Sequence, residues 1–90
     1  MGLEWRNRIL EDNVVSSGQF CRIRLGSLDF EGEVGCRRDG TYTATIKFLP
    51  EDRNQPPVLV WKRFTTANSL SGATRLVEAE LASWREDLNR

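Results

Sequence analysis

The 90-residue chain reads as one α+β domain, residues 1–90: an antiparallel β-meander of four to five strands with one long C-terminal α-helix packed on one face. Three observations predict this class. Apolar and polar residues alternate with a period of two between Gln19 and Leu49, Gly-containing turns divide that stretch, and beyond Thr66 the apolar period lengthens to three and four residues.

The N-terminal segment, residues 3–10, sets Leu3, Trp5 and Ile9 against Glu4, Arg6 and Arg8, the pattern of a short strand. Its charge content and the adjacent Ile9-Leu10 leave a short helix as the alternative. In the meander, residues 19–49, Cys21, Ile23 and Leu25 share one face while Arg22 and Arg24 take the other. Leu28, Phe30 and Val34 then oppose Asp29, Glu31 and Glu33. Gly26-Ser27 between these runs suits a two-residue hairpin turn with Gly first. That turn puts Leu25 opposite Leu28 and Ile23 opposite Phe30, with Arg24 against Asp29 and Arg22 against Glu31 outside. Both faces agree with the pairing, and a slip of one residue would mix them.

Arg38-Asp39-Gly40 suits a three-residue loop with Gly40 left-handed. The loop sets Val34 against Ala44, Phe30 against Phe48 and Glu31 against Lys47. Pro50 ends that strand, and Glu51 to Pro57 is a polar loop closed by a proline pair that cannot join a central ladder. A fourth strand is expected over 58–64. Its Val58-Leu59-Val60-Trp61 run lacks alternation, which reads as burial on both faces. A helix is expected over 69–88, with Ser69 as N-cap and Leu70, Ala73, Val77, Leu81, Trp84 and Leu88 as its apolar stripe.

Composition removes whole classes of chemistry. Thirteen basic and thirteen acidic residues cancel, so neither a uniformly cationic nor a uniformly acidic surface is expected. The chain has no histidine, and its two cysteines, Cys21 and Cys36, lack CxxC spacing. The common general base and the common zinc ligands are therefore missing together, and we expect no enzyme, no metal site and no cofactor. In the register above Cys21 lies opposite Gly32, too far from Cys36 for a disulfide. No apolar run approaches the roughly 18 residues of a membrane span, and no signal peptide opens the chain, so a cytoplasmic protein is expected.

Geometry then points to a partner. A helix is about 10 Å wide, whereas four or five strands at about 4.8 Å spacing span some 19–24 Å, so one helix cannot cover the sheet. Val58, Val60, Trp61, Trp5 and Arg63 are the expected interface residues, and a homodimer is the expected assembly. The function expected is a non-enzymatic protein-interaction module that binds and modulates a protein partner. One alternative is a dimeric single-stranded nucleic-acid binder using Arg37, Arg38, Lys62 and Arg63; another is a subunit of a larger complex. Residues 39–88 also loosely resemble the HicB-like antitoxin domain, in Asp39-Gly40-Thr41-Tyr42-Thr43-Ala44, Leu49-Pro50 and Phe64-Thr65-Thr66 leading into a helix that ends near Trp84. That resemblance implies a β-rich fold with a packed helix and a toxin as partner. The Glu51 to Pro57 loop is longer than the family's pattern, and residues 1–38 lie outside it.

Overall fold

A computed structural model describes residues 3–8, 15–37, 39–65 and 69–88. It contains strands β1 (Arg6–Arg8), β2 (Val15–Leu25), β3 (Leu28–Arg37), β4 (Tyr42–Leu49) and β5 (Val58–Thr65), followed by helix α1 (Leu70–Leu88). The five strands form one sheet in the order β1-β2-β3-β4-β5, with every neighbouring pair antiparallel.

The registers match those derived from the turns. Leu25 pairs with Leu28, Ile23 with Phe30, Cys21 with Gly32, Val34 with Ala44 and Glu31 with Lys47. Gly26 has a φ of 62°, as a turn with Gly first requires, and among the described residues only glycines adopt a positive φ. At the second hairpin the Arg37 amide donates to the Thr41 carbonyl and Gly40, at φ 87°, donates to the Arg37 carbonyl. Asp39 Oδ1 closes the loop by accepting from the Thr41 amide at 3.0 Å and its hydroxyl at 2.6 Å.

The helix begins where its cap dictates: Ser69 Oγ accepts from the Gly72 amide at 3.3 Å. Its stripe buries Ala73, Val77 and Leu81 against Ile23, Leu25, Val34, Ala44 and Ile46 of the sheet. Phe30, Phe48 and Trp84 extend this core at one end, with ring centroids 5.8 Å apart for Phe30–Phe48 and 5.5 Å for Phe30–Trp84. Trp84 Nε1 donates to Glu80 Oε1 at 2.7 Å, satisfying the indole one helical turn back.

The N-terminal segment forms the expected strand, over Arg6–Arg8, and Ile9 and Leu10 lie outside the described residues. Three expectations are corrected. The sheet begins earlier than Gln19, because β2 starts at Val15. Leu88, the last residue of the apolar stripe, is exposed at the rim of an open depression that it shares with Leu25, Leu28, Phe30 and Trp84. The run Val58-Leu59-Val60 is not buried on both faces, for a reason visible in the pairing. Ile46 pairs with Trp61 but Lys47 pairs with Leu59, so Val60 is the extra residue of a β-bulge. A bulge resets side-chain parity, which accounts for the missing alternation without a second covered face.

Candidate functional site

Where the helix lies decides where the surface is open. α1 packs over β4, β3 and β2. On the β1 side the chain fills the remaining width itself: Leu3 and Trp5 pack onto the core, and Trp5 Nε1 donates to Glu78 Oε1 at 2.8 Å. On the β5 side the described residues supply no such filler. Among the described residues a groove of about 440 Å³ runs between β5 and α1, lined by Trp61, Arg63, Phe64, Thr65, Leu76, Ala79 and Glu80.

Trp61 packs one side against the core and is half-buried, with the Arg63 guanidinium carbon 5.3 Å from its ring centroid. Leu76 stands exposed across the groove, on the helix flank rather than its buried stripe. At the outer end of β5, Val58, Leu59 and Val60 are 49%, 51% and 47% exposed. The free edge is guarded against simple strand addition, because the bulge at Val60, the cations Lys62 and Arg63 and the preceding Pro56-Pro57 all disfavour backbone pairing. This edge therefore offers side chains rather than backbone groups for contact.

The opposite face of the sheet carries a different arrangement. Phe64, 58% exposed, has the Lys62 ammonium 4.7 Å and the Arg37 guanidinium carbon 5.3 Å from its ring centroid. Gly18, Gly35, Thr43 and Phe64 occupy one row of paired positions beside this cluster, with both glycines buried. Phe20 and Lys62 close the next row, with Glu33 and Thr45 between them. Glu31, expected to be solvated, is instead only 5% exposed, in register between Arg22 and Lys47.

Of the expected interface residues, β5 brings Val58, Val60, Trp61 and Arg63 together, whereas Trp5 lies across the molecule in the core. Of the expected nucleic-acid residues, Arg37 and Lys62 meet at Phe64. Arg63 belongs to the groove on the other face, and Arg38 lies outside the described residues. Leu76 and Ala79 escaped notice in the sequence. Their signal was a leucine off the helix's apolar stripe, which alone is ordinary surface.

Both thiols are free. Burial pushes the Cys21 thiol up to about 11, so it is a packing group rather than a nucleophile. Cys36 is half-buried at the hairpin end, its Sγ donating to the Arg37 carbonyl at 3.6 Å. Among the described residues no group of three or more Cys, Asp or Glu side chains could hold a metal ion, and no helix is long and apolar enough to cross a membrane. Comparison with family models, with curated proteins and with solved structures returns no match to this chain.

Proposed function

We propose that the protein is a non-enzymatic interaction module of the inhibitor, antitoxin or immunity-protein kind, which works in the cytoplasm as a homodimer and binds a protein partner. The observation that carries this reading is the uncovered groove between β5 and α1, where Trp61 and Leu76 face each other without a filler. Exposed apolar surface of this kind on a small domain is characteristic of interfaces.

A second copy of the chain suits the groove because the groove is self-complementary. It holds one cation, Arg63, and one carboxylate, Glu80, around an apolar floor. A two-fold axis through it places each Arg63 near the partner's Glu80 and buries both copies of Trp61 and Leu76, the isologous arrangement of most small homodimers.

Sedimentation velocity tests this directly. The wild-type chain is expected to sediment at twice its 10.3 kDa mass. Leu76→Glu, on an exposed flank of α1, is expected to sediment as a monomer with an unchanged far-UV spectrum. A wild-type monomer at high concentration would remove the homodimer.

A further inference from the structure

Net charge of zero conceals a separation of charge. The face of the sheet turned away from α1 carries Arg6, Arg22, Arg24, Arg37, Lys47 and Lys62 against Glu4, Asp29, Glu31 and Glu33. α1 carries the compensating excess, with Glu78, Glu80, Glu86 and Asp87 against Arg75 and Arg85. The open face is therefore net cationic, and two aromatic residues, Phe20 and Phe64, stand among its cations.

The Phe64 cluster is the focus of this face. Arg37 and Lys62 share one ring at 5.3 and 4.7 Å, so they lie within about a Debye length of each other and repel. An anion seated between the two cations relieves this repulsion.

We propose that this open face binds single-stranded nucleic acid, with backbone phosphates at Arg37 and Lys62 and unstacked bases on Phe64 and Phe20. Flat sheet surfaces that combine aromatic platforms with cations take single strands in this way, because bases without a stacking neighbour are free to lie on the rings. Phe20 and Phe64 sit three strands apart, about 14 Å across the sheet, within the ~4 nucleotides of the smaller sheet-based sites. A depression of about 420 Å³ beside Phe20, lined by Glu4, Arg6 and Arg22, offers room for one base. The carboxylates along β3 argue for nucleic acid over an anionic lipid surface, since they would repel a uniformly negative layer.

Arg37 and Lys62 stand on the face opposite the dimer groove, and Phe64 borders both surfaces. The test is fluorescence anisotropy of a labelled oligothymidylate titrated with the full chain. Binding is expected at low salt and to weaken steeply between about 50 and 200 mM. Phe64→Ala is expected to lose about tenfold or more in affinity, and Phe64→Tyr to retain most of it. Arg37→Ala and Lys62→Ala are each expected to reduce the log–log salt slope by about 0.7, while Arg75→Ala and Arg85→Ala on α1 leave it unchanged. Leu76→Glu, which tests the dimer, is expected still to bind. The proposal is overturned by no anisotropy change at low salt. It is equally overturned by binding that Phe64→Ala leaves intact, or by capture of anionic-lipid vesicles in preference to the oligonucleotide.

Discussion

At Gly32 the backbone of β3 comes so close to α1 that an added Cβ would lie 2.7 Å from Val77 Cγ1 and 3.1 Å from Cys21 Sγ. Nothing in the sequence distinguishes this glycine from the others on the strand, because the constraint comes from the helix that crosses it. Gly32→Ala is expected to destabilise the fold by about 1–3 kcal/mol through overpacking, read as a lowered thermal midpoint. Combining it with Val77→Ala is expected to recover part of that loss, since the two side chains compete for one space. Cys21, on the other side of the same contact, gives a pH signature. Its folded pKa of about 11 lies above the ordinary value of 9.0, so above pH 9 the unfolded chain releases a proton that the native state retains. Stability should therefore fall as pH rises from about 9 to 11, and Cys21→Ala should flatten that part of the profile. At neutral pH a thiol reagent is expected to label Cys36 in the native protein and Cys21 only after unfolding. Asp39 shifts the opposite way: hydrogen bonds from the Thr41 hydroxyl and amide hold its carboxyl below the usual range. The hairpin support it provides is thus present near neutrality and lost as the carboxyl protonates in acid.

Element by element, local chemistry accounts for most of the fold. Gly26-Ser27 and Arg38-Asp39-Gly40 fixed two registers through loop length and the sign of φ, so the pairing of three strands was legible before any tertiary contact. Ser69 marked the helix start, and Ser69→Ala is expected to cost about 1 kcal/mol in chemical denaturation with an unchanged m-value. β5 was legible as a strand but not in its environment. Four apolar residues in a row have the same appearance whether the strand is buried on two faces or kinked by a bulge, and pairing with β4 decides between them. The short β1 was ambiguous for a related reason: its position depends on Trp5 finding Glu78, a partner 73 residues away. The candidate surfaces followed the same division. Trp61 and Arg63 on one face, and Arg37 and Lys62 on the other, are all conspicuous in sequence. That Arg63 parts from Lys62 is alternation, but that Leu76 joins Trp61 depends on how the helix sits on the sheet.

For the molecule as a whole, the governing fact is a width mismatch. Five strands need more cover than one helix gives; Leu3 and Trp5 make up the difference beside β1, and none of the described residues does so beside β5. The two sides of α1 therefore respond differently to substitution. Leu81→Asp, which places a charge in the centre of the core, is expected to abolish folding, whereas Leu76→Glu is expected to spare the fold and abolish assembly. The three tryptophans report on these regions separately: Trp5 is tied to Glu78, Trp84 to Glu80, and Trp61 lies in the groove. Their indole resonances, followed by NMR across a protein dilution series, test the central claim most directly. Assembly through the groove predicts that the Trp61 indole signal moves with concentration while those of Trp5 and Trp84 hold their positions. A Trp61 signal that stays fixed from dilute to concentrated solution would contradict it.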